Sequence, residues 1–207
     1  MNLYDLGMVG KTSIINRYIN GQFIQSNKRT INTKAFQKTI ILNGNTFNLN
    51  VWDTAGEEKY HALAPIFYQN SDGAIIVYDC TNKETFERAV KWINELADIL
   101  EDNKYRLILV GNKIDLPEKK ISSEKGNELA KKYNANFIEV SALSGSGIDN
   151  IFEILTNDIY QNKLLEKQNL EIEQGIAGRT KSKRKIIISS GNERYEKRFN
   201  DDGSCVC

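Results

Sequence analysis

No apolar run in this chain approaches the ~20 residues that cross a bilayer. The opening Met1-Asn2-Leu3-Tyr4-Asp5 has neither the basic start nor the apolar stretch of a secretory leader. Cysteine is scarce. Cys80, Cys205 and Cys207 are an odd number without metal-ligand spacing, which argues against a disulfide framework and for a reducing compartment. Two prolines and fourteen glycines exclude a low-complexity chain. Net charge is only +1, so bulk electrostatics give no reason to expect a nucleic-acid partner. These absences place the chain in the cytosol unless a lipid holds it to a membrane. What is present, 40% hydrophobic residues in 207, is enough for one cored domain and an appendage.

The chain begins with a short loop, Gly7-Met8-Val9-Gly10-Lys11-Thr12-Ser13, followed by a predicted helix from Lys11 to Tyr18 with Ile14, Ile15 and Tyr18 on one stripe. A polar stretch without period runs to Asn32. Alternation over Phe36–Leu42 and Thr46–Trp52, around Asn43-Gly44, predicts a β-hairpin with Phe47, Leu49 and Val51 on one side. Beyond Gly73 the pattern becomes buried strands (Ala74–Tyr78, Arg106–Gly111, Phe137–Val140) alternating with amphipathic helices (Glu84–Leu100, Ser122–Tyr133, Ile148–Tyr160). Such alternation predicts an α/β fold with a mostly parallel central sheet, one antiparallel hairpin strand and helices on both faces. Residues 166 to 207 are polar and Gly-punctuated and read as a flexible tail. Five cations crowd Arg179–Lys185.

Four clusters carry chemistry. Gly10-Lys11-Thr12 can wrap a phosphate in backbone N–H groups, with the Lys on outer phosphates and the Thr hydroxyl on Mg²⁺. Asp53-Thr54-Ala55-Gly56 follows the hairpin, where an Asp can support Mg²⁺ and the Gly N–H can approach a γ-phosphate. In Asn112-Lys113-Ile114-Asp115 the carboxylate can accept from both N1–H and the 2-amino group of guanine, a pair adenine lacks. Ser141-Ala142 can offer a backbone N–H to guanine O6. An Asp after a strand is more often a helix cap than a ligand. The joint occurrence, each after a strand and in this order, carries the weight. Ligands of such sheets bind at the carboxyl ends of the strands.

With these residues in place, the chain resembles the Rab family of small GTPases in the Ras superfamily, over about residues 7 to 165 and the extreme C-terminus. Val51–Gly56, Tyr60–Tyr68 and Gly73–Asp79 are Rab-like, and His61-Ala62-Leu63-Ala64-Pro65 is most similar to the early-endosomal subgroup. The resemblance implies a P-loop GTPase domain over 1–165 and a hypervariable tail over 166–207. It implies a switch in vesicle traffic that binds and hydrolyses GTP, with Mg²⁺ and GTP or GDP as ligands. Nucleotide-binding residues would be Gly7, Val9, Gly10, Lys11, Thr12, Ser13, Phe23, Thr30, Gly56, Asn112, Lys113, Asp115, Ser141 and Ala142. Metal ligation would fall to Thr12, Thr30 and Asp53. Cys205-Val206-Cys207 would take two geranylgeranyl groups, and two chains anchor where one is marginal. Implied partners are an exchange factor, a GTPase-activating protein, a Rab escort protein, a GDP-dissociation inhibitor and effectors that read the switches. The chain would be a monomer on the cytosolic face of early endosomes or related vesicles, and in the cytosol when held by the inhibitor.

The sequence departs from the family in places. Asp5 stands where the loop's first glycine belongs, and only Met1–Tyr4 remain of a central strand of about six residues. That implies either a truncated gene model or a chain that binds nucleotide poorly. Glu57 occupies the position of the Gln that orients attacking water, so intrinsic hydrolysis is expected to be slow. Leu143 follows Ser141-Ala142 where many relatives have Lys, with little effect expected. Ala35 falls where an effector-facing Phe is usual, with Phe36 one place later. A rival reading is therefore a pseudo-GTPase acting as an interaction module. An ATP-dependent enzyme is disfavoured by Asp115.

Overall fold

Three residues hold the centre of the sheet. β1 (Asn2–Tyr4) lies parallel to β3 (Asn45–Asp53), with Asn2 opposite Trp52 and Leu3 opposite Asp53. On its other side β1 pairs with β4 (Gly73–Asp79) at Ala74, Ile75 and Ile76. The strand fills the central place and supplies backbone partners to both neighbours. The structure, a computed structural model, describes residues 2–4, 8–24, 33–54, 71–99, 105–181, 189–190, 193–194, 198–199 and 205–206, with side chains over 8–24, 33–54, 71–97 and 105–172.

The hairpin follows from its turn. Asn43 and Gly44 have φ of 51° and 76°, the left-handed pair that lets a two-residue loop join twisted strands without splaying them. It connects β2 (Lys34–Leu42) to β3 with Leu42 opposite Asn45. β5 (Arg106–Asn112) and β6 (Asn136–Glu139) complete a six-stranded sheet of order β2-β3-β1-β4-β5-β6, in which only β2 is antiparallel to its neighbour. Phe47, Leu49 and Val51 share the inward face of β3 as expected.

Four helices are described: α1 (Lys11–Asn20), α2 (Lys83–Ile99), α3 (Ser123–Lys132) and α4 (Ile148–Lys181). Ser122 caps α3, its hydroxyl accepting from the Lys125 N–H at 3.3 Å. Asn82 does the same for α2, accepting from the Glu84 N–H at 3.0 Å. All seven β4 residues are buried because both faces of that strand are covered. On one face a Cβ at Gly73 would lie 3.2 Å from Leu155 of α4. On the other, Tyr78 meets Phe86 of α2 edge-on at 5.0 Å. Tyr18 of α1 stacks on Phe152 of α4 at 3.7 Å between ring centroids, so α1 shares the α4 side. Burial of Ile14, Ile15, Ile151, Phe152 and Leu155 is worth about 1.5–3 kcal/mol for each side chain. Cys80 is a buried core residue, its thiol pushed up to about 12, mainly by burial.

One boundary moves. The last helix was expected to stop at Tyr160, with an irregular tail after Leu165, but α4 runs on to Lys181. Its extension, Gln161 to Gln174, is mostly Lys, Leu, Glu and Gln, all strong helix formers, with Asn162, Asn169 and Ile172 the exceptions and no Pro and no Gly before Gly175. Propensity carries the helix where no apolar stripe advertises it. The chain divides into two compact units, Met1–Asn162 and Lys163–Cys207. Among the described residues beyond α4, the second unit has two short antiparallel pairs, β7 (Ser189–Ser190) with β8 (Glu193–Arg194) and β9 (Arg198–Phe199) with β10 (Cys205–Val206). Among the described residues no helix is long and apolar enough to cross a membrane.

Candidate functional site

The parallel strands deliver their last residues to one edge of the sheet: Asp53 from β3, Asp79 from β4, Asn112 from β5 and, two residues beyond β6, Ser141. Register places Asp79 beside Asn112 and Leu3 beside Asp53. This is the end at which open α/β sheets bind ligands.

α1 starts there. Gly10, its N-cap residue, has φ 95° and makes no side-chain capping bond, so no cap side chain satisfies the first-turn N–H groups. Met8 is also left-handed, at φ 56°, and Val9 between them is fully buried. Alternating conformations of this kind curl backbone N–H groups into an anion-sized concavity, and the helix end adds a favourable dipole. Gly10 is required twice. A Cβ there would be strained by φ and would lie 2.5 Å from Asn112 Nδ2. Lys11 is only 3% exposed. Ser13 follows it, half-buried, in the first turn. Thr12 Oγ1 donates to Asp53 Oδ2 at 2.7 Å, and Asp53 is wholly buried. A hydroxyl and a carboxylate brought together are hard oxygen donors of the kind Mg²⁺ accepts, so this pair fits the metal the sequence implies.

Asn112 ties the two halves of the site together. Its Nδ2 donates to the Val9 carbonyl at 2.8 Å and its Oδ1 accepts from the Ala142 N–H at 3.1 Å, while the residue is 1% exposed. One side chain thus connects β5, the loop before α1 and the loop after β6. The Ala142 N–H that the sequence offers to guanine O6 is therefore engaged by Asn112. Sharing it would make a three-centre bond. Asp115 accepts from Ser141 Oγ, which in turn accepts from the Ser144 N–H at 3.0 Å.

Lys113 has φ 70°, a conformation that costs a non-glycine residue about 1–3 kcal/mol. Its Nζ meets Asp79 Oδ2 at 2.6 Å. Asp79 also accepts from the Thr81 N–H at 2.8 Å and the Thr81 hydroxyl at 2.7 Å. Burial alone would raise its pKa, but the bonds from Lys113 and Thr81 overcome that and hold the carboxyl below its ordinary range. Phe23 is half-buried and packs against the core edge.

Ten sequence-predicted residues thus converge: Val9, Gly10, Lys11, Thr12, Ser13, Asp53, Asn112, Asp115, Ser141 and Ala142. Lys113 joins them through Asp79. Asp5, Gly7, Thr30, Gly56, Glu57 and Cys207 lie outside the described residues, and Cys205 belongs to the second unit in β10. Two residues escaped the sequence reading. Asp79 was visible only as a strand-terminal carboxylate. Arg17, near the end of α1, reaches the Ala142 and Leu143 carbonyls, and nothing local announces it.

Residues 5–161 match the pattern of the Ras family. The chain is 41% identical to the Ras-related protein Rab-21 of Geodia cydonium over 156 residues, 75% of this chain and 68% of that protein. It is 39% identical to the Ras-related protein Rab5 of Nicotiana tabacum over 151 residues, 72% and 74% of the two chains. Similarity to the Ras-related protein RABA3 of Arabidopsis thaliana, at 32%, extends over 201 residues, 96% of this chain and 84% of that one.

Proposed function

The chain belongs to the Ras family, in its Rab branch, and on that footing we propose that it is a GTP/GDP switch of endocytic vesicle traffic. The observation that carries this reading is the Asn112 bridge, because it joins the phosphate-type loop at Val9 to the base-type loop at Ala142 through one buried amide. Phosphates would sit against the first-turn N–H groups of α1 and Lys11. Guanine would be chosen by Asp115, oriented by Ser141. Asn112, Lys113 and the Ala142 N–H would border the base, with Phe23 at its edge. Thr12 and Asp53, with Thr30, would hold Mg²⁺, which when bound neutralises charge on the terminal phosphates. Thr30 and Gly56 would read the γ-phosphate, so that the segments around them order with GTP and relax after hydrolysis.

Glu57 makes intrinsic hydrolysis slow, since a carboxylate cannot donate the amide hydrogen bond that orients water and it repels the γ-phosphate. An activating protein that brings its own Gln and Arg would restore the rate. Cys205 and Cys207 carry the two prenyl groups. The cations of 179–185 lean on anionic lipid, and 166–207 acts as the membrane tether of a G domain spanning 1–165. Partners are those of the branch: an exchange factor, an activating protein, an escort protein, a dissociation inhibitor and effectors at residues 30–68.

Glu57 favours a second reading, a pseudo-GTPase serving as an interaction module. Binding of mant-GDP to the full chain in Mg²⁺ separates the two. A submicromolar dissociation constant supports the switch, and micromolar or weaker binding sinks it for this polypeptide.

A further inference from the structure

Arg17 leaves α1 two turns below Lys11 and spreads its guanidinium over three carbonyl oxygens. Nε donates to Ala142 O at 3.1 Å, one Nη to Gly21 O at 2.9 Å, and the other Nη to Leu143 O. Two of these acceptors lie in the loop after β6, and the third is the C-cap residue of α1 itself. The contact is close along its length. Gly145, at φ 88°, runs so near that a Cβ would stand 3.7 Å from Arg17 Cδ. Only a planar fork with separate Nε and Nη donors reaches three carbonyls at once, and a lysine ammonium on a flexible stem does not reproduce it.

The loop so gripped carries the chemistry of base choice. Ser141 Oγ donates to Asp115, and the Ala142 N–H lies between Asn112 and the place of the base. Asn112 fixes this loop from the β5 side. Arg17 fixes it from α1, the helix whose first turn bears Lys11 and Thr12. We propose that Arg17 is a positioning residue for guanine recognition: it sets the 141–145 loop, and through Ser141 the Asp115 carboxylate, at the height that the phosphate end of the same helix dictates. This rests on the guanine-nucleotide reading above. It goes beyond that reading in assigning base selectivity to a residue that touches no base.

The test uses the full chain with Mg²⁺, as wild type, Arg17→Met and Arg17→Lys, with mant-GDP displaced by unlabelled GDP and by ADP. ADP shares the phosphates but not the guanine edge, so the ratio of the two dissociation constants isolates base selection. The expected result is a fall in GDP-over-ADP preference of about tenfold or more in Arg17→Met, with ADP affinity changed less than about threefold. Arg17→Lys should recover only a minor part. Amide hydrogen exchange on the same proteins should speed up at Ser141 and Gly145, whose N–H groups close the loop, while β4 and β5 amides stay protected. Equal weakening of GDP and ADP, with the ratio unchanged, overturns the proposal and makes Arg17 merely structural. Failure of wild type to bind mant-GDP below micromolar concentration overturns the parent reading as well, and only that outcome does so.

Discussion

The two ends of the site are built differently. At the base end, side chains hold side chains and loops: Asn112, Ser141, Asp115, Arg17 and the Lys113–Asp79 pair form a bonded set with its members already in contact. At the phosphate end, backbone does the work. The curl at Met8 and Gly10 and the first turn of α1 would form the cradle. A side-chain bond from Thr12 to Asp53 lies at this end. On the proposed reading, base selectivity would rest on contacts that the protein already makes within itself. On the same reading, phosphate binding would rest instead on the backbone curl before α1 and the end of that helix. Affinity for the base and competence in the reaction are therefore separable properties, and a chain could keep one while losing the other.

The sharpest way to break that contrast is Asn112→Ala, because Asn112 belongs to both ends. It strands the Val9 carbonyl and the Ala142 N–H in the interior. Mant-GDP affinity should fall about 100-fold, since orphaning a buried polar group costs about 1–3 kcal/mol. A loss below tenfold in equilibrium titration would mean that the two loops hold without it.

Thr12→Val tests the phosphate end alone. Wild type should release mant-GDP much faster when EDTA removes Mg²⁺. The variant should release it quickly in either condition, and its chelator effect should shrink by about tenfold, as expected for loss of one ligand bond to a charged group. GDP-over-ADP preference should not move.

Glu57→Gln addresses chemistry without binding. Single-turnover GTP hydrolysis in the absence of activator should rise about tenfold, a barrier change of about 1.4 kcal/mol. Equal rates in the two proteins would remove Glu57 as the cause of any slowness.

The smallest effect is expected at Asp79→Asn. Losing the charge that holds Lys113 should lower the urea midpoint at pH 7 by an amount equivalent to about 1 kcal/mol. The pH dependence has a definite sign. Because the folded pKa of Asp79 lies below its ordinary 3.8, the unfolded chain takes up the proton first as pH falls. The stabilisation is therefore complete above about pH 3.8 and is lost as pH drops through the folded value. Wild type should lose more stability than Asp79→Asn between pH 5 and pH 3 in paired urea titrations.

What could be foreseen from the residues followed the same division. Local chemistry was legible. Asn43-Gly44 announced the hairpin, Ser122 announced the start of α3, and polar residues just after apolar runs announced Asp53, Asn112 and Ser141. These are short-range signals, and each needs only neighbours in sequence. β1 was read as a remnant, Met1–Tyr4, because the resemblance implies a longer central strand, and so short a run carries no periodic pattern of its own. Its strand state comes from β3 and β4 on either side. The extension of α4 was missed because hydrophobic periodicity reports burial, and a helix sustained by propensity has none to report. Arg17 was invisible since its partners in the loop after β6, Ala142 and Leu143, lie 125 and 126 residues away. Asp79 likewise gains its meaning only when parallel register sets it beside β5.

The two-residue turn at Asn43-Gly44 also settles which aromatic looks outward. With no slack in the loop, Ala35 is locked opposite Trp52, and Phe36 opposite Val51, on the core side. The outer face of the hairpin therefore shows an indole, 39% exposed, next to a bare methyl group. Only one other tryptophan, Trp92 on α2, contributes to emission. The chain consequently carries its own optical gauge. Trp52 sits one residue before Asp53, so its fluorescence reports solvent and neighbours at the margin of the phosphate end without any attached dye.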